Sequence, residues 1–378
     1  MVPGYRSPGA TGAAAGAADG SIPWPAGAQI FSESPALVVA ALCTHPMAMT
    51  TPLPAPSPVS AANGAAFAPL PHTGYLEFDG VDTASFLQGQ LSNDVAALAV
   101  GDTQWSSYNS PKGRMLATLL LWRATATSYR AFVAADLAES LRKRLAMFVM
   151  RAKVVVTDRT ALGVCYGVAG LAAGTAVRAA LGAAPEVGHG VMHGTVDIVS
   201  TPDGRVLIHA PDAARDAILQ RLVEHAVAAD TTYWDWVTIT DGIPTINAAT
   251  QDLFVPQTVN WDLVGGVNFR KGCYPGQEIV ARMQYLGHQK ERLVRLHFDG
   301  APPAPGMRLY STVFGDQACG TVVNAALAPT GGSDLLAVAQ ISAAETLHLG
   351  APDGPVLPLL QLPYVVPASV APNRPKLK

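Results

Sequence analysis

The chain has 378 residues, enough for two or three domains at the common size of ~150 residues each and for a substantial buried core. Its formal charge of −3 and pI near 6.3 exclude a globally basic polyanion-binding protein, so nucleic acid would need a local basic patch. Hydrophobic residues reach 49% with a mean hydropathy of +0.23, yet Ala and Gly supply much of this, and no apolar run approaches the ~20 residues of a membrane-spanning helix.

Cys43, Cys165, Cys273 and Cys319 are far apart and form no C-x-x-C pair, which leaves neither a disulfide framework nor a local zinc or iron–sulfur ligand set. A reducing cytoplasm is the expected setting. Residues 1–72 are rich in Ala, Gly, Pro and Ser without sustained periodicity, and are expected to be a disordered low-complexity extension. The apolar run A-L-V-V-A-A-L within Pro35 to Met49 has no basic region closely before it and lies too far from Met1 for an ordinary signal peptide. It reads as part of that extension, or of an over-long start with initiation near Met47 or Met49, with a targeting role as the alternative.

Order is expected from near Gly74, where G-Y-L-E-F-D-G alternates like a strand and V-D-T-A-S-F-L-Q-G-Q-L follows with helical spacing, capped by Asp82 or Thr83. Strands are predicted over Gln104 to Tyr108, Met115 to Arg123 and Tyr129 to Ala134. Between the first two, N-S-P-K-G-R marks a tight turn displaying two cations. An amphipathic helix, Leu137 to Met150, leads to a strand at Lys153 to Thr157. A second mixed set follows, with R-V-L-I-H-A as its clearest strand and A-R-D-A-I-L-Q-R-L-V as its clearest helix. This interleaving predicts an α+β protein, with no doubly wound nucleotide fold.

Thr231 to Tyr285 has little regular periodicity and many polar, Gly and Pro residues, the composition of site-bearing loops. After Lys290, short apolar runs separated by Gly, Pro or Asp predict a small antiparallel barrel. The domain reading is therefore a mixed region over 73–285, a barrel over 286–366 and a loose tail over 367–378.

The densest chemistry lies in N-F-R-K-G-C-Y-P-G-Q-E-I-V-A-R-M. Pro275-Gly276 is a type II turn signature, and the good helix formers from Gln277 onward place Cys273 near a helix N-terminus. That field, with Arg270, Lys271 and Arg282, would favour a thiolate. The competing reading is a small buried cysteine that only packs, which is the expectation for Cys43, Cys165 and Cys319. Glu278 reads either as a first-turn acid stabilised by the helix dipole or as a carboxylate for a donor-rich heterocycle. Gln277 suits an amide-like ring edge or a turn cap. Asn93 and Asp94, just past an apolar helix, are ordinary turn residues, and Lys112 with Arg114 reads as an anion-binding turn or a solvated one.

Together these clusters resemble the YgfZ family of folate-binding proteins, relatives of the glycine cleavage T-protein (aminomethyltransferase). K-G-C-Y-P-G-Q-E at Lys271 to Glu278 is similar to that family's signature. In the expected order the chain also carries F-L-Q-G-Q-L-S-N-D-V, P-K-G-R, R-A-K-V, D-G-I-P and F-V-P-Q, over about Gly74 to Tyr364. The resemblance implies a three-domain, ring-like α+β fold with a C-terminal β-barrel and a central cavity for tetrahydrofolate. It further implies a role in assembling or repairing iron–sulfur clusters of client enzymes, including those that modify tRNA; from the charge and hydropathy, no direct nucleic-acid contact and no membrane insertion are expected.

By the same resemblance the folate-binding residues are Asp94, Asn109, Lys112, Arg114, Asp241, Gln257, Gly266, Phe269, Lys271, Gln277 and Glu278, with Cys273 as the working thiol. Asp94 matches the acid that orients the folate amine in the T-protein. T-protein relatives also place an Arg shortly before an acid ahead of the Gly-x-Pro turn, whereas this chain reads W-V-T-I-T-D-G-I-P, with no Arg and with Asp241 in the acid position. That departure, and a cysteine absent from aminomethyltransferases, point to an accessory protein rather than a conventional enzyme. A folate-dependent one-carbon transferase is the alternative.

Overall fold

The computed structural model describes residues 64–286 and 289–367. The chain enters through β1 (Ala66–Pro69) and β2 (Thr73–Asp79), passes the short helix α1 (Thr83–Gln88), and forms the meander β3 (Thr103–Asn109), β4 (Met115–Arg123) and β5 (Ser128–Ala134). Helix α2 (Ala135–Val149) and strand β6 (Val155–Asp158) complete a five-stranded sheet of order β3-β4-β5-β2-β6. All of β4 except Arg123 is buried, because its alternate residues serve two cores: Leu119 and Leu121 face one, Leu120 and Trp122 the other. Asp82 precedes α1 but does not cap it with its side chain; Oδ2 instead accepts the Lys153 backbone N–H at 2.8 Å.

The second sheet is built from β7 (Gly163–Ala169), β8 (Gly190–His193), β9 (Val196–Ser200), β10 (Val206–Pro211) and β11 (Val227–Ala228), in the order β11-β1-β7-β10-β9-β8. Helices α3 (Ala173–Leu181) and α4 (Arg215–His225) cover one of its faces. The other face meets the first sheet through Ala66, Ala68, Cys165 and Leu207 against Tyr75, Leu120, Trp122 and Phe132. A buried polar network crosses this junction: Tyr75 Oη donates to Asp197 at 2.8 Å, and the Arg130 guanidinium pairs with both Asp197 and Glu77.

Strand β1 falls within the segment expected to be disordered, so folding starts earlier than the pattern suggests. It pairs antiparallel with β7 and parallel with β11, and Phe67 is fully buried. Four residues whose partners lie far along the chain leave no local period to read. Residues 1–63, with Cys43 and the apolar run, lie outside the described residues.

Helix α5 (Thr231–Thr240) was not evident from periodicity, being rich in β-branched and aromatic residues of modest helix propensity. It is fixed instead by Asp230, whose carboxylate caps it by accepting the Tyr233 N–H at 3.0 Å, and by burial of Tyr233, Trp234 and Ile239. An irregular segment, 241–276, leads to α6 (Gln277–Leu286). The chain ends in the antiparallel strands β12 (Glu291–Phe298), β13 (Arg308–Ser311), β14 (Gly315–Leu327), β15 (Ser333–Gln340), β16 (His348–Leu349) and β17 (Leu359–Leu360). Their order, β16-β13-β14-β15-β12-β17, leaves two edges, so the expected barrel is a half-barrel. Asp334 joins it to α5, accepting from Trp236 Nε1 at 3.0 Å, Arg295 at 2.7 Å and His297 at 2.9 Å. Among the described residues no helix is long and apolar enough to cross a membrane.

Candidate functional site

Tyr274 to Gln277 forms the type II turn that Pro275-Gly276 predicts: the Gln277 N–H donates to the Tyr274 carbonyl at 3.2 Å, and Gly276 has φ 76°. Helix α6 begins at once, with Glu278 exposed in its first turn. Gly276 packs against the P-K-G-R turn so tightly that a Cβ would stand 2.4 Å from the Ser110 carbonyl oxygen, and a Cβ on Gly113 would meet Ile279 at 2.8 Å. The two turns are thus one unit. Arg114 extends it by donating to the Leu253 carbonyl, as does Ser110 by donating to Asp252 at 2.8 Å, and these tie the F-V-P-Q loop alongside. Lys112 stays exposed.

Lys271 points inward. Its Nζ donates to the carbonyls of Gln88 at 2.6 Å and Leu91 at 2.5 Å and lies 5.0 Å from the Tyr274 ring centre. These carbonyls belong to the end of α1 and the turn after it, where helix geometry leaves acceptors without partners and a cation is favoured. Burial pushes the Lys271 ammonium down to about 8, with nearby Asp94 opposing. Asp94 accepts from Gln88 Nε2 at 3.0 Å. Asn93 Nδ2 donates to the carbonyls of Trp105 and Gly265, both at 2.8 Å, and Ser92 Oγ donates to that of Gly266 at 2.6 Å. Gly266 lies flat on Trp261, where a Cβ would stand 2.2 Å from the indole nitrogen.

The other expected site residues are divided between inner and outer positions. Gln257 is fully buried and donates to the Val280 carbonyl at 2.7 Å, anchoring α6 from beneath. Gln277 reaches back to the Lys271 carbonyl at 3.4 Å, and Phe269 meets Tyr285 edge-on at 6.4 Å. Asn109 is buried with neither amide atom hydrogen-bonded among the described residues. Cys273 is exposed, whereas Cys165 and Cys319 are buried, and burial pushes the Cys165 thiol up to about 12.

Beyond Trp105 and Trp261, whose rings lie 5.7 Å apart, is a central cavity of about 90 Å³. Its walls include Trp105, Phe132, Trp234, Trp261, Thr238 and Arg205, drawn from the first sheet, the turn before β10, α5 and the irregular segment. It adjoins a cleft of about 400 Å³, sharing with it His72 and Asp235, which are paired at 3.1 Å. None of the expected folate-binding residues lines either space, although Ile243 and Pro244 of the D-G-I-P motif line the cavity.

Asp241 comes nearest, through Arg205. That guanidinium bonds Asp203 at 2.6 Å and Thr238 Oγ1 at 2.5 Å, lies 3.2 Å from Asp241, and covers the Trp234 ring at 4.8 Å. Burial, opposed by Arg205 and reinforced by Asp203, pushes the Asp241 carboxyl up to about 6. A guanidinium therefore does stand beside the acid of T-I-T-D-G-I-P, but it comes from the residue before β10. The available sequence signal was a lone Arg opening the apolar run R-V-L-I-H-A.

No protein-family model matches the chain. The tRNA-modifying protein YgfZ of Sodalis glossinidius (strain morsitans) is 31% identical over 301 residues, covering 77% of this chain and 90% of that protein. Its namesake in Vibrio vulnificus (strain CMCP6) is 32% identical over 239 residues, 62% of this chain and 71% of the relative. Among solved structures, the glycine cleavage system aminomethyltransferase T from Bartonella henselae shares the fold, with a TM-score of 0.67 over 81% of this chain and 88% of that one at 16% identity.

Proposed function

The chain belongs to the family of the tRNA-modifying protein YgfZ, and from that premise we propose that it supports tRNA modification as a tetrahydrofolate-binding accessory protein for iron–sulfur enzymes. The observation that carries the folate part is the aromatic cavity with its adjoining cleft. The cavity alone, at about 90 Å³, is small for a whole folate, but the cleft of about 400 Å³ beside it brings the space into the ~300–1,000 Å³ range of ligand pockets. Three indoles and a phenyl ring suit a flat bicyclic ring, and the Thr hydroxyls supply hydrogen-bonding groups. Tetrahydrofolate, when bound, supplies amine nitrogens able to carry one-carbon units.

In this reading the ligand is held by the cavity walls. Asp94, Gln257, Gly266, Phe269, Lys271 and Gln277 act on it indirectly, by fixing the loops behind Trp105 and Trp261, and Asn109 keeps a buried amide with both atoms open to a partner. Lys112, Arg114 and Glu278 lie on the exposed face of the joined turns, and Cys273 presents its thiol to a client enzyme. Among the described residues one thiol is exposed, which does not complete a cluster's ligand set, so in this reading a cluster passing through this site takes further ligands from the client.

The test is calorimetric titration of tetrahydrofolate into the purified chain without oxygen. Saturable binding at one site per chain is expected, and absence of binding by the folded protein would overturn the folate reading. Formation of methylene-tetrahydrofolate from an added one-carbon donor would identify a transferase instead. For the thiol, Cys273→Ala should fail to restore iron–sulfur enzyme activity in cells lacking the native protein, and full restoration would remove its role.

A further inference from the structure

We infer that Arg205 is the specificity-determining residue of the central cavity, donating to the ring oxygen of a 2-amino-4-oxo pteridine. This rests on the folate reading above and adds to it the orientation of the ligand and the atom that is read.

Arg205 is 5% exposed and lines the cavity. Its Nε bonds Asp203 and its Nη1 bonds Thr238, while Nη2 makes no hydrogen bond among the described residues. A guanidinium that keeps unused donors on the wall of a cavity is placed to meet an acceptor that enters it. The group is also rigidly aimed. Thr238 Oγ1 donates to the Trp234 carbonyl at 2.9 Å, which leaves its lone pairs for Arg205, and the Trp234 ring supports the guanidinium from one side.

The surrounding charge selects the kind of oxygen. Asp203 and Asp241 both flank Arg205, so the cluster carries no surplus positive charge when both are ionised. An entering carboxylate would meet two others at short range, whereas a neutral carbonyl oxygen would not. Flat aromatic walls then favour a carbonyl on a planar ring over one on a flexible tail. The ring end therefore occupies the cavity, and the longer glutamate end extends into the adjoining cleft, the larger of the two spaces.

The experiment compares four ligands by anaerobic calorimetry on the full chain: tetrahydrofolate, 6-methyltetrahydropterin (ring only), p-aminobenzoylglutamate (tail only), and the 2,4-diamino analogue of the ring, in which a donor replaces the oxygen. Wild type should bind the ring-only ligand and prefer it to the diamino analogue by at least about tenfold. Arg205→Met should abolish that preference, and Arg205→Lys, which keeps the charge but loses the planar fork, should lose most of it. Should Arg205→Met fail to fold, the wild-type comparison still decides, since equal binding of the oxo and diamino rings overturns the assignment. If wild type binds tetrahydrofolate and the tail alone but not the ring alone, the orientation is overturned while the folate reading stands. If it binds no folate at all, both fall.

Discussion

Gly276 faces Gly113 so closely that a Cβ on Gly276 would stand 2.5 Å from the Gly113 Cα. This contact turns two segments far apart in sequence into one surface, placing Lys112 and Arg114 beside the start of α6 and the loop that carries Cys273. It requires two residues without side chains, each with positive φ, 76° at Gly276 and 73° at Gly113.

Gly276→Ala should accordingly be destabilised by about 2 kcal/mol or more, combining left-handed strain with the clash against Ser110. Gly272→Ala, where an added Cβ meets nothing within 4 Å, should change stability by less than about 0.5 kcal/mol. Denaturant midpoints of the two variants give the comparison, and equal midpoints would mean that the turns are not locked together.

His209 should make the protein acid-sensitive. Burial pushes its imidazole down to about 4, and the ring is 2% exposed and stacked on Tyr75 at 4.0 Å. The unfolded chain takes up a proton at this residue below about 6.5, whereas the folded one does not until about 4. Stability contributed by the neutral form is thus full above 6.5 and lost as pH falls toward 4, to a total of about 1–3 kcal/mol. His209→Gln, whatever its stability at neutral pH, should show a flatter decline across that window in urea titrations, and parallel curves would contradict this.

Asp334 should be among the costliest carboxylates to remove. It is 4% exposed and accepts from Trp236, Arg295 and His297. Asp334→Ala leaves a largely buried cation and an indole N–H without their acceptor, at a cost of about 3–5 kcal/mol. Trp236→Phe removes one donor and should cost less. Thermal unfolding of both variants orders them, and a mild Asp334→Ala would show that the half-barrel is held to α5 by apolar packing alone.

Thiol reactivity should separate the cysteines sharply. In a Cys43→Ser background, the native protein should react with a chromogenic disulfide at one thiol, Cys273, and at Cys165 and Cys319 only on unfolding. Rapid titration of more than one native thiol would contradict the burial of the other two.

The strands of the first sheet and the half-barrel were legible because apolar residues recur in short runs between turn residues, as in β4 and β15. The Pro275-Gly276 turn was legible because its signal is contained within the turn. Helix α5 was not, since its cap at Asp230 and its burial outweigh a composition that favours strands. The cavity was the least legible part. Trp105, Arg205, Trp234 and Trp261 meet only through tertiary packing, and each is unremarkable in its own segment. The motifs did mark the neighbourhood: Asn93 holds Trp105 and Gly266 seats Trp261. They identified the supports of the cavity and, of its walls, only Ile243 and Pro244.

The placement of β1 between β7 and β11 has a practical side for anyone expressing this protein. A chain cut just before Gly74, where regular periodicity begins, would lose that strand and leave β7 with an uncovered backbone edge. Such an edge invites pairing with other molecules. The shortened protein should therefore be prone to self-association, and a usable fragment must keep Ala65 and the residues that follow it.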